Sequence, residues 1–209
     1  MNQLLTYGGP LLFIFAAYLA GSIPTGVWYS KLVHRIDVRE LGSGNSGGTN
    51  VGRNFGAVAA IVVIAVDVLK GWIPILIARQ LFPDLSWVIM LTGIASVLGH
   101  AYPIWAGFRG GKIVATSIGV LLGFQFGTAI IQLLLFVTVL VLSSMVSFSA
   151  MVSYSLIALY ILFTLPNRIF GLGFLLIACF MIYRHRSNVD RIIKGEERRL
   201  NFGFNRPKA

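Results

Sequence analysis

From Ile113 to Tyr183, about 70 residues, a single side chain carries charge, that of Arg168. No other feature constrains the chain so tightly. A bilayer core takes roughly 20 apolar helical residues per crossing, so a run of this length reads as several transmembrane helices. Composition agrees: 56% of residues are hydrophobic and 11% are charged, against about a quarter charged in an ordinary soluble domain. The one cysteine, Cys179, lies inside such a run, which excludes a disulfide framework and reads as a small hydrophobe facing lipid or a neighbouring helix. The first 30 residues lack a positive leader and run on into further spans, so no cleavable signal peptide is expected.

The basic residues are grouped. Lys31, Arg35, Arg39 and Arg53 fall in one polar segment, Arg109 and Lys112 in a second, and Arg184, Arg186, Arg191, Lys194, Arg198, Arg199, Arg206 and Lys208 in a tail. Only Lys70, Arg79 and Arg168 stand outside. This placement, more than the net charge of +10, sets the partner: Lys and Arg crowd the cytoplasmic side of a membrane protein, and no nucleic acid is implied. With the three groups on one side, crossings between them must be even in number. The expected fold class is an all-α polytopic membrane protein with seven transmembrane helices, one of them short, and a Gly-rich cytoplasmic loop. The spans are expected at roughly 10–30, 56–80, 86–107, 113–126, 128–146, 148–165 and 167–183, with a basic cytoplasmic tail at 184–209. The whole of 1–209 is then one integral-membrane domain, its N-terminus outside. The segment after Lys112 is the short one, or a re-entrant half-helix.

Hydropathy leaves some polar groups unexplained. Gly21-Ser-Ile-Pro-Thr-Gly26 interrupts the first span; it reads as a Pro kink served by Ser22 or Thr25, or as a broken helix lining a polar cavity. Asp67 and Lys70 lie three residues apart inside an apolar run. Charges at that depth face a cavity or each other, so the pair is either self-neutralising or orients a site. His100 closes the third span just before Arg109 and by itself says little.

The stretch ELGSGNSGGTNVGRNFG, Glu40 to Gly56, is the polar exception. Gly42, Gly44 and Gly47 satisfy G-x-G-x-x-G, but the dinucleotide reading needs a strand before and a soluble βαβ unit around it. The flanks here are membrane spans, so that reading fails. RGGK ends like a P-loop, yet Ala106 stands where its first glycine belongs and Ile113 where its Ser/Thr belongs. There is no G-x-S-x-G elbow and no ligand spacing for a metal. A flexible solvated loop remains one alternative. The other is an anion nest, in which glycines let backbone N–H groups converge. Ser43, Asn45, Ser46, Thr49 and Asn50 then add neutral donors, Arg53 and Lys112 add charge, and His185 and Asn188 reach in from the tail.

Taken together and in order, GSIPTG, LGSGNSGGTNVGRNFG, DVLKG, GHAYPIWAGFRGGK-VAT and YRHRSNVDRIIKGEE resemble the acyl-phosphate-dependent glycerol-3-phosphate acyltransferases, the PlsY family of bacterial inner membranes. The resemblance runs from about Gly21 to Glu197. It implies a seven-span enzyme that moves a fatty acyl group from acyl phosphate to glycerol 3-phosphate, giving lysophosphatidic acid and phosphate, the first acylation of phospholipid synthesis. It also implies that Ser43, Gly44, Gly48, Thr49 and Asn50, with Asn45 beside them, bind the acyl phosphate's phosphate. Lys112 falls between the two phosphates, and Arg53, His185 and Asn188 hold glycerol 3-phosphate. Lys112, His185 and Asn188 are thus the expected catalytic residues, and Lys31, Asp67, Lys70 and His100 match as supporting ones. No cofactor and no metal are implied. The expected partners are the two substrates, membrane lipid and, transiently, the enzyme that makes acyl phosphate.

An acyl phosphate is already activated, so positioning and charge neutralisation carry most of the catalysis. No Ser-His-Asp spacing supports an acyl-enzyme, and direct attack is expected. The general base is His185 or the substrate's own phosphate, and the cationic surroundings of His185 favour the phosphate. One position departs from the family's usual G-G-K-G-V-A-T: Ile113 stands in place of the glycine after the lysine. If that position needs positive φ, isoleucine is strained there.

Two other classes compete. Acyltransferases using acyl-CoA or acyl-carrier protein carry H-x-x-x-x-D, which His185 and Asp190 satisfy formally, but five helical steps put them about 140° apart. A phosphate-ester transporter with broken helices is the other, yet no second glycine loop mirrors the first. The tail from Arg191 onward reads as a solvated positive anchor for anionic lipid; Gly195 and Glu196 match the family without an assignable step.

Overall fold

A computed structural model of the chain describes residues 2–201 and 203–205, with side chains from residue 8 onward. Arg206 and Lys208 of the basic tail lie outside the described residues. Among the described residues ten α-helices follow one another: α1 (Asn2–Gly21), α2 (Thr25–His34), α3 (Gly48–Phe55), α4 (Ala57–Leu81), α5 (Ser86–Ala101), α6 (Val114–Phe124), α7 (Phe126–Ser143), α8 (Val146–Thr164), α9 (Arg168–Arg184) and α10 (Arg186–Ile193). Short 3-10 turns at Val38–Glu40 and Ile104–Ala106 complete the described residues, among which there is no strand. The protein is an all-helical membrane protein. Among the described residues five segments are long and apolar enough to cross a bilayer: Gly8–His34, Ala57–Leu81, Ser86–Ala106, Phe126–Ser143 and Val146–Thr164. Helices α9 and α10 form an apolar pair bent by 60°. With 11 residues, α6 is only about 16 Å long, half the thickness of a hydrocarbon core.

The chain divides after Phe124 into two compact units. In the first, the interruption near Pro24 is a true break between α1 and α2 rather than a bend. Proline has no N–H and crowds the preceding turn, and residue 23 before it is pushed out of the helical region. Close approach of backbones then holds the helices together. A side chain at Gly21 or Gly99 would strike the carbonyl of Ser96 or Tyr18, so α1 and α5 meet through their glycines. Gly71 and Gly119 do the same between α4 and α6, against the carbonyls of Thr116 and Val68. Small residues at such seams are how helices associate where lipid removes the hydrophobic drive. The far end of α6 is closed by Arg79, whose Nη1 donates to the carbonyls of Gly123 (2.8 Å) and Phe124 (3.0 Å). A helix end in apolar surroundings needs such a donor.

In the second unit, α7, α8 and α9 pack in sequence, and Gln132 donates to Ser153 Oγ between α7 and α8 at 3.2 Å. The described part of the basic tail is largely exposed, yet it is fastened to the end of α7. Leu200 N and Phe204 N donate to the carbonyls of Ser144 and Val141, both at 2.8 Å, and Asn205 Nδ2 to that of Leu142 at 3.2 Å. The last turn of α7 leaves carbonyls without intrahelical partners, and this segment supplies donors.

Candidate functional site

The glycine loop is built on a small core of its own: Val38, Val51, Ala59 and Val63 are buried together, with Tyr29 and Phe55 against them. Asn50 is the hub. Its Nδ2 donates to the carbonyls of Val38 (3.0 Å), Leu41 (3.0 Å) and Asn45 (2.9 Å), while its Oδ1 accepts from Ser43 N at 3.0 Å. Expected as a donor to phosphate, Asn50 is instead buried with its amide hydrogens taken up inside the loop. Asn45 likewise turns inward, accepting from Gly47 N at 2.8 Å. Gly42 and Gly44 take φ of 57° and 69°, the left-handed values that glycine adopts without steric cost.

With these groups satisfied internally, the outward-facing donors are of another kind. Ser43, Gly44, Thr49 and Arg53 are exposed, and Thr49 and Arg53 stand one turn apart on the same side of α3. Gly48 and Thr49 are the first two residues of α3. Their amides have no intrahelical acceptor, the standard condition for anion binding at a helix start.

A second loop carries Lys112, half-buried immediately before α6. It is fastened to the end of α5: Gly111 N donates to the His100 carbonyl at 3.1 Å and Gly110 N to that of Ala101 at 3.2 Å. The imidazole of His100 lies against Gly111 so closely that any β-carbon there would overlap it. Behind His100 is a buried polar cluster. Asp67 Oδ1 accepts from Thr25 Oγ1 (3.0 Å), pairs with Lys70 Nζ (2.9 Å) and lies 3.6 Å from His100 Nδ1. Lys70 Nζ also donates to the Ile23 carbonyl, beside the α1–α2 break, at 2.8 Å. Asp67, Lys70 and His100 thus tie the break to the Lys112 loop.

The two loops of this unit are also joined directly. Asp37 caps the turn at Val38–Glu40 by accepting from Arg39 N at 3.0 Å, and Arg39 Nε and Nη2 fork onto the same carboxylate at 3.0 and 2.7 Å. The hydrogen bonds from Arg39 hold the Asp37 carboxyl far below the usual carboxylate range, against the opposing effect of burial. Lys31 stands 3.2 Å from the same carboxylate, a supporting contact. Arg39 Nη1 donates across to the carbonyls of Ala106 (2.8 Å) and Arg109 (3.2 Å).

Ile113 has φ of 63° and is fully buried, so this position does demand the conformation that glycine favours. For a β-branched residue it is a genuine outlier, costing about 1–3 kcal/mol. Substitution by glycine removes that cost but also a buried side chain, a loss of about 2–5 kcal/mol for isoleucine cut to alanine. Ile113→Gly is therefore expected to lower thermal stability in detergent despite relieving the backbone. A raised melting temperature would show that strain outweighs packing.

In the second unit, His185 and Asn188 are both buried at the junction of α9 and α10. His185 Nδ1 is 2.8 Å from the Met181 carbonyl; since a carbonyl only accepts, Nδ1 is the donor in this contact. Asn188 Nδ2 donates to Glu197 Oε1 at 2.7 Å, which also accepts from Ser147 Oγ at 2.5 Å, while Glu197 Oε2 accepts from Arg191 Nε at 2.8 Å. Burial opposes the Glu197 charge, but the hydrogen bonds from Ser147, Asn188 and Arg191 together lower its pKa. Asp190, by contrast, is exposed and shares no face with His185. Sequence reasoning missed Asp37, Arg39 and Glu197; the Asp37–Arg39 pair is local, but the reach of Arg39 to Ala106 and Arg109 and of Glu197 to Ser147 is set by tertiary register. Among the described residues no group of three or more His, Cys, Asp or Glu is placed to hold a metal ion.

Residues 11–195 match the family model of glycerol-3-phosphate acyltransferases. The chain belongs to that family. It is 40% identical to a glycerol-3-phosphate acyltransferase of Prochlorococcus marinus (strain MIT 9215), over 91% of this chain and 98% of the relative. It is 42% identical to one from Enterococcus faecalis (strain ATCC 700802 / V583), over 95% of each. Among solved structures it is similar to PlsY (YgiH), an integral membrane glycerol 3-phosphate acyltransferase. The glycerol 3-phosphate form aligns with TM-score 0.88 at 38% identity, covering 92% of this chain and 96% of that one. The lysophosphatidic acid form aligns at 0.86 and 36%, covering 92% and 95%. The chain is accordingly a glycerol-3-phosphate acyltransferase of the PlsY type.

Proposed function

We propose that this enzyme transfers a fatty acyl group from acyl phosphate to the sn-1 hydroxyl of glycerol 3-phosphate, releasing lysophosphatidic acid and phosphate. The observation that carries this reading is the glycine loop itself. Asn50 satisfies its internal polar groups, while the first amides of α3 have no intrahelical acceptor and Ser43 and Thr49 are exposed. That suits a phosphate dianion, and both substrates carry one.

In this reading the loop takes the phosphate of the donor. Lys112, with the amides that open α6, neutralises charge as phosphate departs. Arg53, His185 and Asn188 hold glycerol 3-phosphate, with Glu197 keeping the Asn188 amide in place. The glycerol oxygen attacks the acyl carbonyl directly, the acyl carbon–oxygen bond to phosphate breaks, and the hydroxyl proton passes to phosphate. His185 donates from Nδ1 to the Met181 carbonyl and, as an imidazolium, also donates to the anion through Nε2. Five long apolar segments and the α9–α10 pair account for six crossings of a bacterial inner membrane, and α6, too short to span a full core alone, is taken as the short seventh. The N-terminus is then outside and the basic loops and site are cytoplasmic, where the Lys/Arg excess belongs.

The test is phosphate release by the purified protein in lipid, given acyl phosphate with and without glycerol 3-phosphate. Release that needs both, with lysophosphatidic acid formed in step, is expected. Turnover with acyl-CoA alone as donor would overturn the donor assignment, and none with either donor would overturn the reaction.

A further inference from the structure

We infer that Arg39 is a positioning residue, which with Asp37 sets the spacing between the glycine loop and the Lys112 loop. The inference rests on the acyl-transfer reading of the two loops. The guanidinium is used on both edges. One edge forks onto Asp37 at 3.0 and 2.7 Å; the opposite nitrogen reaches the carbonyls of Ala106 and Arg109 at 2.8 and 3.2 Å. Asp37 begins the segment that continues through the Val38–Glu40 turn into the glycine loop, and Asn50 seals that continuity by donating to the carbonyls of Val38 and Leu41. On the far side, Arg109 is followed directly by Gly110 and Gly111, which are pinned to α5, and then by Lys112. Arg39 therefore bridges two otherwise separately anchored pieces, one bearing the anion-binding amides and the other the cation.

Only arginine suits the position. Its planar fork matches a carboxylate on one edge while a third nitrogen remains to donate elsewhere, whereas lysine offers a point charge on a flexible stem. With its guanidinium spent on a carboxylate and two carbonyls, Arg39 acts on the reaction through the loops rather than by touching substrate. The spacing matters because acyl transfer from an activated donor depends on geometry, and a displacement of about 1 Å can cost about a hundredfold.

The variants Arg39→Lys and Asp37→Asn separate this role from simpler ones. Both are assayed in lipid for KM, kcat and melting temperature alongside the unmodified enzyme. Arg39→Lys keeps the charge and should still lose about ten- to a hundredfold in kcat/KM. Asp37→Asn removes a negative charge near an anion site, so electrostatics alone would tighten phosphate binding; the clamp instead gives a loss like that of Arg39→Lys. The double variant should be little worse than either single one, since both break the same link. Near-normal kcat/KM in Arg39→Lys, or improved KM in Asp37→Asn, would overturn the inference, as would losses that appear only as a lowered melting temperature. If the unmodified enzyme fails to turn over, the acyl-transfer reading fails first, which is a separate outcome.

Discussion

Lys112→Ala is expected to reduce kcat by about a hundred- to a thousandfold, the usual cost of removing one preorganised donor from a developing anion, with little change in melting temperature. The size follows from where the charge sits. Lys112 is half-buried, so its field is less screened than that of a surface lysine. Only Ile113 separates it from α6, whose first amides, from Val114 to Thr116, point the same way as the positive end of the helix dipole. Phosphate leaving an acyl group gains charge at the moment of bond breaking, and a cation fixed beforehand stabilises that state without reorganising. Stability should hold because α6 is secured elsewhere, by its glycine seam with α4 and by Arg79 at its far end. Lys112→Arg keeps the charge but spreads it over a planar fork and should recover only part of the rate. Steady-state kinetics with acyl phosphate and glycerol 3-phosphate give the answer. An unchanged kcat with raised KM would make Lys112 a binding group only.

Much of this architecture was legible because the bilayer imposes it. The uncharged run after Lys112 allows helices and little else, and the short α6 follows from how little chain lies between Ile113 and the turn at Gln125. The break at Pro24 could be suspected, since proline, flanking serine and threonine, and an apolar run can hardly coexist in one straight helix. The group that serves the carbonyl at the break, Lys70 on another helix, was not legible from any local pattern. The demand for positive φ at Ile113 was visible only through the family's glycine. The glycine loop was legible as polar and flexible in composition, but not in orientation. Asn50 and Thr49 look equivalent in the sequence; one is the internal hub and the other faces out. Glu197 was hidden for a related reason. Glu196 and Glu197 are adjacent and chemically alike, and only the return of the tail across α8 and α10 buries the second against Ser147 and Asn188.

Asp67→Ala is expected to lower stability by about 3–5 kcal/mol, the cost of breaking a buried ion pair from one side. That corresponds to a fall in melting temperature on the order of 10 °C. The carboxylate serves three partners at once, and its removal leaves Lys70 buried with only the Ile23 carbonyl beside it. An uncompensated ammonium among apolar helices is the expensive product, more than the lost hydrogen bonds. Asp67→Asn, which keeps an acceptor oxygen but not the charge, should fall between the two. The double variant Asp67→Ala with Lys70→Met removes the orphaned charge and should recover much of the stability, because replacing a whole buried pair by apolar groups is often neutral. Activity should not follow it. His100 would still lack the carboxylate beside its Nδ1, and the Gly110–Lys112 loop rests on His100. Recovery of stability and kcat together would mean that Asp67 only neutralises Lys70. Recovery of stability alone would mean that the buried charge reaches the site through the imidazole.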